Sequence, residues 1–299
     1  MVLMAGLVIK GGNFLGAGSR PFLLDAILTD GPGSLMLIDV RNWASGVPAS
    51  DAALTNIARV QSNALGLGAA NAIFRKVGDL TGGGFGLIER STKGGLHVAV
   101  RQSSGIAANQ GYNIEVPESV MAYMIANPTH NYYYSQWRRL TRASLSEGTG
   151  AKALMAVENN TTGGFVLMSQ TAGQERPTLA NRIGRSMLGA GQNVLGNTAD
   201  MIAGPYTAGT SATPTTEQYA SGRARSLAQF GSVLLQNSWS AIAAQLQSWV
   251  FYRAYVEDLT LSGRTFAEVS AIDSALWTAA FGTGGVFAGD SHTAPSSTD

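Results

Sequence analysis

The sequence predicts a mainly β protein: a two-sheet antiparallel sandwich with one C-terminal helix and an extended N-terminal arm. Three observations predict it. The chain of 299 residues holds 37 glycines and only 13% charged residues, a composition that suits short strands joined by tight turns. Short apolar or β-branched runs recur between turn signals. Residues 248–281 then place a strong strand signal directly before a strong helix signal.

Taken in order, residues 1–22 begin apolar and continue as GGNFLGAGSRP. Through Leu7, Val8, Ile9 and Phe14 they read as an arm that docks on a neighbour, or else as the first strand of the domain. A single domain is expected over 23–283, with a flexible tail over 284–299. Residues 34–40, SLMLIDV, form a strand candidate, and 42–51 a loop containing Pro48. Residues 53–66 read as a helix, from the spacing of Leu54, Ile57 and Val60, or as two short strands. Residues 84–90 and 95–102 form a hairpin around the turn at 91–95. Leu96, Val98 and Val100 share one face of its second strand; His97, Ala99 and Arg101 share the other.

Residues 119–126 and 131–141 are expected to be a further pair of strands joined across 127–130. A third hairpin spans 152–158 and 164–170. Residues 173–220 are rich in glycine and threonine and read as an insertion. Within the ambiguous stretch 226–249, propensity favours helix at 241–247.

Residues 248–257 carry apolar groups on both faces, as a central strand covered on both sides does. Strict alternation groups Trp249, Phe251, Arg253 and Tyr255 against Val250, Tyr252, Ala254 and Val256. Ser262-Gly263 reads as a turn. Thr265 and Glu268 then stand at the spacing of a capping box. Phe266, Val269, Ile272 and Leu276 follow as a helical stripe, expected to lie on the neighbouring sheet edge.

A net charge of +1 provides no basic excess to attract nucleic acid or an acidic membrane. Arginine outnumbers lysine 16 to 4; this suits buried or interfacial ion pairs, and a GC-rich genome produces the same bias. Cysteine is absent, which excludes disulfides, thiolate metal sites and a cysteine nucleophile. Residues 1–9 are too short to span a bilayer, and no signal-peptide pattern follows them.

His97, His130 and His292 have no metal-ligand spacing, and no G-x-S-x-G elbow occurs. Asp39, Asp258 and Asp290 sit in no calcium-loop pattern, so neither metal nor cofactor is expected. Glu257 and Asp258 are adjacent and point to opposite strand faces; their expected work is to close the strand and meet Arg264 across the turn. The candidate ligand-binding set is Tyr132, Tyr133, Tyr134, Trp137 and Arg139. Aromatics beside arginines either stack on sugar rings or fill a core, and on a strand at least one alternating set must be core.

The stretch YRAYVEDLTLSGRTFAEVSAID at 252–273 resembles the ending of concanavalin A-like, laminin-G-like sandwich proteins of tailed bacteriophages and prophages. Residues 4–13, MAGLVIKGGN, resemble the usual start of those proteins, and 130–142, HNYYYSQWRRLTR, an early core strand. The resemblance implies a concanavalin A-like jelly roll and a non-enzymatic virion structural protein, a tail or tail-tip component assembled in the host cytoplasm. Implied partners are copies of the chain itself, other virion proteins and host cell-surface polysaccharide. Two alternatives stand beside it: a carbohydrate-degrading depolymerase or glucanase on the same fold, and a capsid decoration protein.

Overall fold

The computed structural model describes residues 25–78, 80, 85–102, 110–127, 130–142, 225–232 and 246–295, and the backbone of 153–158, 166–171, 183–189 and 202–203. The expected docking arm (Leu7, Val8, Ile9, Phe14), most of the 173–220 insertion and residues 241–245 of the expected helix lie outside the described residues.

The described residues build a mainly β protein with two antiparallel sheets and a C-terminal helix. The first sheet runs β10 (Ile183–Gly189), β7 (Tyr132–Arg142), β13 (Ser248–Asp258), β5 (Leu96–Val100) and β4 (Gly86–Arg90), with β1 (Ser34–Asp39) also paired to β13. The second runs β11 (Ile202–Ala203), β9 (Val166–Thr171), β8 (Ala153–Glu158), β12 (Arg225–Ser232), β6 (Gln110–Glu115), β3 (Ala72–Val77) and β2 (Ala52–Leu54). The hairpins expected around 91–95 and 159–163 are present as the β4–β5 and β8–β9 pairs.

The expected central strand is β13, and every one of its residues is buried. One edge pairs with β7 from end to end. The other edge is shared: β5 takes residues 249–251 and β1 takes 253–257. A register shift between Phe251 and Arg253 corrects the strict alternation read from the sequence. An extra residue in one strand inverts the facing of everything beyond it. Trp249 faces the second sheet, stacked on Phe230 of β12 at 4.1 Å. Tyr252 meets Phe281 and Phe287 on the opposite side, and its neighbour Arg253 lies there too, over the Trp137 ring. Beyond the shift, Tyr255 remains on that outer side while Ala254 and Val256 join the main core.

That main core lies inside the first sheet, where Leu96, Val98, Val100, Leu140 and Trp249 pack with Phe74, Ile114 and Phe230 of the second. A smaller cluster on the outer side gathers Leu37, Tyr133, Tyr255, Leu259 and Val269.

Residues 119–126 are a helix, not the expected strand: α2 spans Glu118–Ala126. A short apolar run reads either way by periodicity. Here Pro117 stands before the first turn, Glu118 lies within it, and Val120, Met121 and Met124 form one buried helical stripe. Residues 53–66 contain one element of each kind, β2 and then α1 (Arg59–Ala64); Val60 is exposed rather than part of an apolar stripe.

β13 ends in α3 (Leu259–Ser262), a single turn capped by Asp258, whose carboxylate accepts from Leu261 N at 3.0 Å. Gly263 stops it in the left-handed conformation, φ 72°, which glycine adopts without strain. Thr265 then opens α4 (Phe266–Phe281) with the expected capping box: Glu268 N donates to Thr265 Oγ1 at 3.2 Å, and Thr265 N to Glu268 Oε2 at 2.8 Å. The stripe Phe266, Val269, Ile272 and Leu276 lies over the sheet's outer face at Tyr133 and Tyr255, not over an edge. Thr265→Ala is expected to lower stability by about 1 kcal/mol in urea unfolding, because one helical N–H loses its acceptor.

The expected tail is packed over 284–295. Phe287 is buried against Tyr252 and Phe281 on the outer side of the first sheet, and Phe287 N donates to Ala280 O at 2.8 Å.

Candidate functional site

Strand alternation places Tyr133 and Trp137 on the outer face of β7 and Tyr134 on the inner face. All of these rings, and Tyr132, are buried. The Tyr133 hydroxyl and Trp137 Nε1 both donate to Asp273 of α4, each at 2.9 Å. The Tyr134 hydroxyl donates to Leu227 O of the second sheet at 2.9 Å, and Tyr132 to Asn127 O at 2.9 Å. The expected sugar-binding platform is therefore corrected: these rings are core and pin β7 to its surroundings, because their polar tips find internal acceptors. Arg139 donates to Asp290 O at 2.6 Å and so ties β7 to the C-terminal segment.

The structure places beside Trp137 a site that was not foreseen in the sequence. A cavity of about 370 Å³ is lined by Asp25, Arg41, Trp137, Arg253, Leu276 and Val286 among others. The β13 bulge aims Arg253 here, its guanidinium 4.7 Å from the centre of the Trp137 ring. Arg253 holds Asp25 with two hydrogen bonds of 2.6 and 2.8 Å and reaches Asp39 at 3.4 Å. Arg41 clasps Asp39 in turn, its Nε at 2.9 Å. Burial works against the Arg253 charge, but its bonds to Asp25 outweigh it and raise the pKa. Burial likewise pushes the Asp25 pKa up, and Arg253 more than reverses it, leaving the carboxyl below its ordinary value. Two cations answer two anions, so the walls hold fixed, paired charge. A general acid working near neutral pH needs a raised carboxyl pKa, and Asp25 has the opposite. Asp273, four positions beyond Val269 and so on the apolar side of α4, is the sequence feature that signals a buried polar contact beside Trp137.

Two histidines far apart in the chain also come together. His97 on β5 is buried, and its ring centre lies 4.5 Å from that of His292. His97 Nδ1 stands 2.9 Å from Glu89 Oε1 and Nε2 stands 3.0 Å from Thr141 Oγ1. The carboxylate only accepts, so Nδ1 carries the proton and Nε2 accepts from the threonine hydroxyl. Burial pushes the His97 pKa down to about 4, against the pull of Glu89. A histidine that stays neutral when folded and titrates near 6.5 when unfolded withdraws stability as the pH falls from 6.5 through about 4. Urea unfolding at pH 7 and pH 4 is expected to differ by on the order of 3 kcal/mol from this group, and His97→Gln is expected to shrink the difference.

His130 donates from Nδ1 to Asp258 Oδ2 at 2.6 Å, and Tyr123 donates to the same oxygen at 2.7 Å. Asp258 therefore closes the strand, as expected, while Glu257 meets Arg264, whose Nε lies 2.9 Å from Glu257 Oε1. Among the described residues, no three histidine, aspartate or glutamate side chains gather as a metal site.

No protein-family model matches this chain, and no curated protein matches it. Among solved structures it is similar to Trypanosoma rangeli sialidase in complex with sialic acid, at 9% identity and a TM-score of 0.39, over 80% of this chain and 32% of the sialidase. The covalent intermediate of the same enzyme with 2,3-difluorosialic acid gives 11% identity and a TM-score of 0.36, over 78% and 34%. The complex with the inhibitor DANA gives 11% and 0.34, over 75% and 30%. The chain thus spans about a third of the length of these proteins. The expectation of a non-enzymatic protein is corrected on this finding, since the solved structures it is similar to are enzymes. At these TM-scores the likeness carries no argument for what this chain binds or transforms.

Proposed function

We propose that this chain is a structural protein of a tailed-bacteriophage virion, built on a concanavalin A-like sandwich and assembled with copies of itself and with other virion proteins. One observation supports this reading. The residues that carry the resemblance, 257–269, act together as the joint between the central strand and the C-terminal helix. Glu257 binds Arg264, Asp258 caps α3, Gly263 turns the chain, and Thr265 with Glu268 caps α4. A shared motif in which every polar residue has a structural task is what kinship of fold, rather than chance composition, would leave. The rings of Tyr132, Tyr133, Tyr134 and Trp137 have no exposed face, so polysaccharide stacking on them has no part in the proposal.

The test is quantitative mass spectrometry of purified particles from the phage or induced prophage that encodes the chain. A fixed copy number per particle is expected. A chain present in the lysate and absent from particles overturns the reading. A second arm deletes residues 1–18, which carry Leu7, Val8, Ile9 and Phe14. The shortened chain is expected to fold and to stay out of particles, as strand addition by the arm requires. Unimpaired incorporation would remove the arm from the assembly contact.

A further inference from the structure

After α4 the chain doubles back across the outer face of the first sheet as a strap, residues 285–295. Its first half is apolar and anchored: Phe287 packs against Tyr252 and Phe281. Its second half is held by polar contacts to several elements. Asp290 Oδ2 accepts from the Tyr252 hydroxyl of β13 at 2.7 Å, and Oδ1 accepts from Lys93 N in the β4–β5 turn at 2.6 Å. Ser291 O accepts from Thr92 N at 2.9 Å. Thr293 donates from its backbone to Glu89 Oε1 at 2.7 Å and from its hydroxyl to Oε2 at 2.8 Å. Arg139 and Arg142 of β7 donate to the carbonyls of Asp290 and Pro295. Between these bonds His292 lies on buried His97, and His292 Nδ1 is buried with no hydrogen-bond partner.

We propose that the strap is an acid-released latch: protonation of the His97–His292 pair frees residues 290–295 and uncovers Tyr252 and Arg139 on the outer face. The charges around the pair decide the direction. Facing it are Glu89 from β4, Arg139 and Arg142 from β7, the Tyr252 hydroxyl from β13, the Lys93 turn, and Asp290 of the strap itself. With both imidazoles neutral, two guanidiniums face two carboxylates. Protonating both rings adds two like charges whose ring centres are 4.5 Å apart, beside arginines already present. In the imidazolium both nitrogens of His292 carry protons, and the one on buried Nδ1 has no acceptor. Burial, and Arg139 for His292, lower the pKa of both rings, so the closed strap belongs to neutral pH and opening to mild acid. The apolar anchor at Phe287 does not titrate, which confines the opening to the distal half. The inference stands apart from the virion reading.

Hydrogen–deuterium exchange of the full chain, corrected for the intrinsic pH dependence, tests it at about pH 7.5 and about pH 5. Exchange over 290–295 is expected to rise roughly tenfold at the lower pH while β13 stays protected. His292→Gln, on a half-buried strap position, is expected to abolish most of that rise and leave the melting temperature at neutral pH unchanged. Flat strap exchange in the wild-type chain overturns the proposal. So does a rise that His292→Gln leaves intact, or one that β13 shares. Should His292→Gln fail to fold, the wild-type comparison of strap with β13 decides alone.

Discussion

Replacing Arg253 by alanine is expected to destabilise the protein by about 3–5 kcal/mol, the largest loss from any single charged residue described here. Arg253 is 1% exposed and faces Asp25 and Asp39, the latter wholly buried. Removing one partner of a buried ion pair leaves the other charge without its counter-ion in a poor dielectric. The guanidinium also covers the Trp137 ring, so its loss opens space against the cavity floor. Arg253→Lys is expected to recover only part of the loss, because an ammonium cannot make the two-pronged contact with Asp25. Guanidinium-induced unfolding measures both. A cost below about 1 kcal/mol for alanine would match an exposed pair and would contradict the burial of this network.

Trp249→Ala is expected to cost about 3–5 kcal/mol, since the ring is buried and its removal leaves a cavity between the sheets. Its stacking on Phe230 at 4.1 Å makes a sharper experiment possible. Phe230 lies on β12 of the second sheet and Trp249 on β13 of the first. The double mutant should lose less than the sum of the single mutants, with a coupling of about 1 kcal/mol. Strict additivity would mean that the two sheets do not meet through these rings.

The parts of this structure legible in the sequence are those whose signals are local. The capping box, the turn at Gly263 and the stripe on α4 each need only a few neighbouring residues, and all are present. The β4–β5 hairpin has its turn between two alternating strands, and it forms. Residues 119–126 are not legible as a helix from the sequence, because an apolar run of that length satisfies both periods. Packing of Val120, Met121 and Met124 into the core selects the helix.

The candidate site was less legible. Tyr132, Tyr133, Tyr134 and Trp137 look alike in the sequence whether they face a sugar or a core. Only the arrival of Asp273 and Leu227 from distant parts of the chain makes them core. A bulge in β13 leaves no composition signal, yet it turns Arg253 toward Asp25, a partner 228 positions away. The strap looked like a tail because glycine and threonine carry no periodicity. Its order comes from Asp290 and Glu89 contacts between residues roughly two hundred positions apart.

By itself, then, the sequence determined the β-rich class, the central strand over 248–257 and its capped helix, because backbone preference, turn chemistry and capping act over a few residues. Tertiary structure alone decided which rings are core, where Arg253 points and how the C-terminal segment is held. Those outcomes depend on burial and on hydrogen bonds between residues that only the folded chain brings together.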